Sequence, residues 1–132
     1  MGDNTEFMKT LKEAVTKVKP FRLLTEGITR SFHNGIATFL KVKGVNCEYR
    51  LSAEAPHVGA TILSTNIDTF VKHSDTLTEE IFGPVTLIVQ CKNIDELFKG
   101  LSVLGKKFFT KLTSFQMDNL LQQFMLNPPI NM

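Results

Sequence analysis

Two adjacent carboxylates, Glu79 and Glu80, stand just ahead of an aromatic residue and a Gly-Pro corner in the stretch Thr78-Glu79-Glu80-Ile81-Phe82-Gly83-Pro84, which runs directly into the apolar segment Val85 to Cys91. A carboxylate at the end of a loop can accept two hydroxyl hydrogen bonds from a sugar diol, and bonds to a charged acceptor contribute about 1.5–3 kcal/mol each. On that reading Glu80 is the acceptor, and Phe82, two residues on, flanks a flat ring. On a second reading the same residues form a polar turn before a strand, with one glutamate solvated and Phe82 plugging the core. The residue types alone leave both readings open.

Other chemistry finds less support. His33, His57 and His73 fall at no spacing that places two ligands on one element, and neither HExxH nor paired CxxC motifs occur, so no metal site is expected. The phosphate-cradling patterns GxGxxG and GxxxxGK[ST] are also missing. Cys47 and Cys91 lie within apolar or alternating runs, where cysteine behaves as a small hydrophobe; a cysteine hydrolase is the rival reading. Lys41, Lys43, Lys106 and Lys107 carry no interleaved aromatics and read as a solvated surface rather than a nucleic-acid site.

Size and composition frame the elements that must position these residues. The 132 residues form a single domain large enough to bury a core, and 42% hydrophobic with 21% charged residues is an ordinary globular composition. A net charge of +2 is too small to imply a nucleic-acid partner. No apolar run approaches the roughly 20 residues needed to span a bilayer. The acidic and polar start, Asp3, Asn4 and Glu6, does not resemble a secretion signal, and Glu6 replaces the hydroxyl residue a myristoylation motif requires. A cytoplasmic location with reduced, buried thiols is expected.

Along the chain, Phe7, Leu11, Val15 and Val18 mark one face of a helix from Thr5 to Val18 that Pro20 stops. A second helix spans about Thr25 to Val42, with Ile28, Phe32, Ile36, Phe39 and Leu40 as its stripe and Gly44 as C-cap; the two helices form a hairpin, and Gly27 and Gly35 mark close packing. Cys47, Tyr49 and Leu51 alternate as in a half-buried strand. Ser52 to Val58 is a loop, Ala60 to Ser64 a short strand, Asn66 the cap of a brief helix with Ile67, Phe70 and Val71, and His73 to Thr78 a polar connection.

Val85 to Val89 reads as a strand covered on both faces. Asn93 with Glu96 opens a helix whose stripe, Ile94, Leu97, Phe98, Leu101 and Leu104, ends at Gly105. Lys107 to Thr113 is expected as the next strand, completing a βαβ unit, and a last helix runs from Phe115 to Leu126 before Pro128-Pro129. The alternation predicts an α/β fold, an α/β/α sandwich with a largely parallel sheet.

Glu79-Glu80-Ile81-Phe82-Gly83-Pro84 is identical to the Glu-Glu-Ile-Phe-Gly-Pro signature of the aldehyde dehydrogenase superfamily. Thr61-Ile62-Leu63, Thr69-Phe70 and Leu77 before it, and Val89-Gln90-Cys91 and Asp95-Glu96-Leu97 after it, resemble the branch of NADP-preferring semialdehyde and fatty aldehyde dehydrogenases. Phe7 to Val18 and Gly27 to Leu40 are similar to the helices that follow the catalytic cysteine in that branch. The resemblance implies that residues 1–132 correspond to a C-terminal portion of the catalytic domain. It implies that Glu80 holds the nicotinamide ribose, that Phe82 lines the nicotinamide and substrate side, and that Gly83 and Pro84 shape the turn, leaving Glu79 a structural role. NADP is the implied cofactor.

The family nucleophile is a cysteine in a Gly-Gln-x-Cys context, and neither Cys47 nor Cys91 has it; the general base in Glu-Leu-Gly-Gly is likewise missing, as is a Rossmann-like cofactor domain. Hydride transfer in this family needs a thiohemiacetal on that cysteine beside the nicotinamide, so the sequence predicts a truncated, catalytically silent portion of an NADP-type oxidoreductase. The alternative is a non-catalytic interaction domain, because a portion of a larger core leaves apolar area open to a second copy, as a homo-oligomer, or to a complementary chain.

Overall fold

The structure is a computed structural model that describes residues 5–112, with side chains through Phe108. Its centre is a three-stranded sheet in the order β2 (Asn46–Arg50), β4 (Thr61–Asn66), β5 (Val85–Gln90). β4 pairs antiparallel with β2 and parallel with β5, in a register that sets Leu63 beside both Cys47 and Leu87. Residues 61–65 are buried throughout, as expected of a strand with neighbours on both edges and layers on both faces. The fold is α/β, as expected, and among the described residues the sheet is mixed, with one parallel and one antiparallel pairing.

Helices cover the face that carries Leu63. Phe39 of α2 (Glu26–Leu40), Ile67 and Phe70 of α3 (Ile67–Lys72) and Leu77 of α4 (Ser74–Leu77) pack with Leu63 and Val45, and Val85, Leu87, Val89 and Val103 join them. Burying each large side chain of this kind contributes about 1.5–3 kcal/mol. A second cluster, Leu23, Phe32, Ile36 and Val58, lies between α2 and a two-stranded ribbon of β1 (Phe21–Arg22) and β3 (His57–Val58), and Ile81 and Val85 bridge the two clusters. α1 (Thr5–Thr16) is tied to β2 by the Lys12–Glu48 ion pair at 3.3 Å and buries Met8. Glu48 in turn accepts a 2.7 Å hydrogen bond from Ser64, whose side chain alternates with that of Leu63, so α1 lies toward the other face of the sheet.

Local chemistry explains where the helices begin. Thr25 Oγ1 accepts the Ile28 N–H, Asn66 Oδ1 accepts the Thr69 N–H, and Asn93 Oδ1 accepts the Glu96 N–H, each side chain satisfying an orphan donor of the first turn. Glu96 reaches back to the Lys92 N–H at 2.7 Å, completing a reciprocal cap one residue wider than the standard box.

Several expectations are corrected. α1 and α2 do not form a hairpin: β1 intervenes and pairs with β3, and the two helices make no extensive contact. The cap closing α2 is Lys41 rather than Gly44, which sits beyond it at φ +102. A bulge between Cys47 and Tyr49 shifts the alternation of β2, leaving Cys47 exposed instead of buried. The polar connection after His73 contains the short helix α4. β5 is an edge strand among the described residues, half-buried with Thr86 exposed, rather than covered on both faces.

The largest correction concerns α5 (Ile94–Leu112), which continues through Gly105 over all the described residues of the expected strand, 107–112. Lys106 and Lys107 are good helix formers, and a single glycine costs a helix only about 1 kcal/mol, too little to end it. The parallel β-helix-β unit is therefore β4, α3, α4, β5, one element earlier than expected. The expected helix from Phe115 to Leu126 lies outside the described residues.

Candidate functional site

The stretch Thr78 to Pro84 leaves α4 and enters β5 with its backbone held at three points. The Glu79 N–H donates to Thr76 O at 3.2 Å, the Val85 N–H donates to Gly83 O at 2.9 Å across Pro84, and the Thr61 N–H of β4 donates to Pro84 O at 2.9 Å. The last bond continues the β4–β5 ladder into the motif and fixes the corner relative to the sheet.

Side chains fix the rest. Ile81 turns inward and touches both apolar clusters. It sits against Gly35 of α2 so closely that a Cβ on residue 35 would stand 2.8 Å from Ile81 Cγ1. Gly27, by contrast, meets only Thr25 of its own turn. Gly83 has φ +141, a backbone conformation open to glycine and strained for other residues, and a Cβ there would stand 2.4 Å from Phe32 Cδ2.

Phe82 lies between these two anchors and is consequently directed outward, 64% exposed. Glu80, on the other side of Ile81, is exposed and has no hydrogen bond or ion pair among the described residues. Ile81 thus fills the core position that the turn reading gave to Phe82. Glu79 borders a hollow of about 160 Å³ beneath the motif, lined with it by Phe39, Leu77, Ile81, Val85 and Leu87.

Two carboxylates have displaced acidities. The Ser64 hydroxyl, first, and the Lys12 ammonium hold Glu48 below the usual carboxylate range, against the opposing effect of burial. Lys107 of α5 pairs with Asp75 of α4 and, by hydrogen bond and charge, also holds that carboxyl low. The first ties α1 to the sheet and the second ties α5 to the helix that leads into the motif; neither reaches Glu80.

A second hollow of about 360 Å³ lies at the start of α2, where Arg22, Arg30 and His33 face Leu24, Ala55 and Pro56, and it shares no lining residue with the motif. Cys47 and Cys91 form no disulfide among the described residues, and they are exposed and half-buried respectively. Among the described residues no group of three or more His, Cys, Asp or Glu side chains could hold a metal ion, and no helix is long and apolar enough to cross a membrane.

The residues that hold the motif in place, Phe32, Gly35 and Thr61, were not singled out as its supports from sequence. Gly35 carried a signal, since a glycine in a buried helical stripe indicates a close approach. Phe32 looked like any stripe residue, and the Thr61–Pro84 bond depends on strand register alone.

No protein-family model matches the chain. It is 27% identical over 119 residues to alpha-ketoglutaric semialdehyde dehydrogenase 2 of Azospirillum brasilense, an alignment that covers 88% of this chain and 22% of that protein. The fold is similar to the crystal structure of an NAD-dependent benzaldehyde dehydrogenase from Corynebacterium glutamicum, with a TM-score of 0.59 and 16% identity over 75% of this chain and 22% of that one. The chain spans about a fifth of the length of each. In sequence the chain is thus similar to one aldehyde dehydrogenase, and in fold to part of another.

Proposed function

We propose that the Glu80–Phe82 corner is the nicotinamide-ribose edge of an aldehyde dehydrogenase cofactor site, and that these 132 residues do not oxidise aldehydes by themselves. The observation that carries the reading is the outward presentation of Glu80 and Phe82 on either side of the anchored Ile81. The exposed carboxylate has its acceptor capacity open for the two ribose hydroxyls, and the exposed ring offers an apolar face to the nicotinamide. An acceptor beside an apolar ring therefore fits a nicotinamide dinucleotide, which when bound accepts the hydride lost by the aldehyde.

The residues of this chain supply binding and orientation. Glu80 holds the ribose, Phe82 restricts the nicotinamide face, and Gly83 keeps the two presented by locking the turn against Phe32. Silence alone follows from the sequence, which contains neither a Gly-Gln-x-Cys nucleophile nor a Glu-Leu-Gly-Gly base. The proposed cofactor is NADP, from the resemblance of the flanking residues; the NAD dependence named for the benzaldehyde dehydrogenase makes NAD the necessary comparison. The test is reduced-cofactor formation by the purified chain with NADP or NAD and a panel of aliphatic, aromatic and semialdehyde substrates. No turnover above the protein-free rate is expected, and sustained turnover overturns the proposal.

A further inference from the structure

The hollow of about 360 Å³ at the start of α2 is lined by two guanidinium groups from different elements, Arg22 of β1 and Arg30 of the second helical turn. Neither side chain makes a hydrogen bond or an ion pair with any described residue. Glu26 also lines the hollow and pairs with neither arginine. The rest of the lining has a marked apolar part. Leu23 is buried in the cluster with Phe32 and Val58, whereas Leu24, next in sequence, is 88% exposed and belongs to neither cluster. Ala55 and Pro56, in the turn before β3, add to that apolar part.

We propose that this hollow binds a small organic monocarboxylate with an apolar body, the carboxylate held by Arg22 and Arg30 and the body lying against Leu24 and Pro56. The planar fork of a guanidinium matches a carboxylate through two parallel hydrogen bonds, and an arginine with no acid of its own has those donors open to an acid that a ligand brings. Charge sets the valence. With His33 neutral, two guanidiniums against the one carboxylate of Glu26 leave an excess of one positive charge, which a single carboxylate neutralises. A phosphate dianion would exceed that charge and meet the repulsion of Glu26. The apolar part of the lining selects against a bare ion as well, because only a ligand with an apolar body removes Leu24 from water.

Volume limits the ligand. At roughly the 30 Å³ that a water molecule takes in the liquid, the hollow holds about twelve non-hydrogen atoms, which suits an acid of about six to eight carbons. A ligand this small, on a site open to solvent, binds in the millimolar range. The proposal is independent of the cofactor reading, since no residue of the stretch Thr78 to Pro84 lines this hollow.

Backbone amide chemical shifts of the full chain during titration with sodium hexanoate at constant ionic strength test it, with 1-hexanol and inorganic phosphate as comparisons and circular dichroism confirming that each variant is folded. Hexanoate is expected to shift residues 22–34 and 55–56 with a millimolar Kd, at least about fivefold tighter than either comparison. Arg22→Gln and Arg30→Gln should each weaken hexanoate at least about fivefold. Glu26→Gln should tighten it about two- to threefold, a gain that loss of fold cannot produce. The absence of shifts at these residues up to about 50 mM hexanoate overturns the proposal. Hexanol binding as tightly would mean a plain apolar groove, and phosphate binding as tightly a plain anion site; either result also overturns it. So do arginine variants that bind hexanoate as the wild type does, or a Glu26→Gln variant that binds it more weakly.

Discussion

The ring of Phe32 occupies the space where a side chain on residue 83 would begin, with Cδ2 only 2.4 Å from that position. A helix residue thereby dictates the glycine of the turn, and the turn dictates the directions of Glu80 and Phe82. Gly83→Ala should cost at least about 2 kcal/mol, because the φ of +141 and the clash with a fully buried ring add. The cost would be read as a lower urea midpoint at unchanged m-value. A change below about 0.5 kcal/mol would mean that the turn is not locked by Phe32.

The Thr61 hydroxyl is buried at 2% residue exposure and has no hydrogen-bond partner among the described residues, although its backbone N–H holds Pro84. An unpaired buried hydroxyl costs about 1–3 kcal/mol, and valine keeps the shape without that cost. Thr61→Val should leave stability unchanged or raise it by up to about 2 kcal/mol, measured by urea unfolding. A loss of more than about 1 kcal/mol would show that the hydroxyl has a partner in solution.

Glu48 links α1 to the sheet through Ser64 and Lys12, and its pKa in the folded state lies below that in the unfolded chain. Its contribution is therefore complete above the ordinary carboxylate range and disappears as pH falls through the lower folded-state value. Glu48→Gln should cost roughly 1 kcal/mol at neutral pH, a figure reduced by the partial exposure of the pair, and the difference from wild type should be smaller at an acid pH below the ordinary carboxylate range. Paired urea titrations at the two pH values check the sign. A difference that grows on acidification would contradict it.

Much of the architecture was legible because it is local. Thr25, Asn66 and Asn93 announce their helices through cap chemistry that needs no tertiary context. The failures lie where context decides. Gly105 is compatible with either a helix end or a helix interior, and its neighbours Lys106 and Lys107 favour continuation. Cys47 alternates correctly in sequence, yet a bulge, set by pairing with β4, turns it outward. Within the motif, residue types could not distinguish which of Ile81 and Phe82 enters the core. Gly35 and Phe32, forty residues and more upstream, make that choice by leaving room for Ile81 and pressing on Gly83.

The central claim is that Glu80 and Phe82 form the ribose and nicotinamide edge of a cofactor site, and backbone amide chemical shifts during titration with reduced and oxidised NADP and NAD test it most directly. The account predicts weak binding, at millimolar concentrations, with shifts concentrated at residues 79–83 and abolished by Glu80→Ala in a variant of unchanged stability. Shifts concentrated elsewhere, or shifts at the motif that persist in Glu80→Ala, would contradict it.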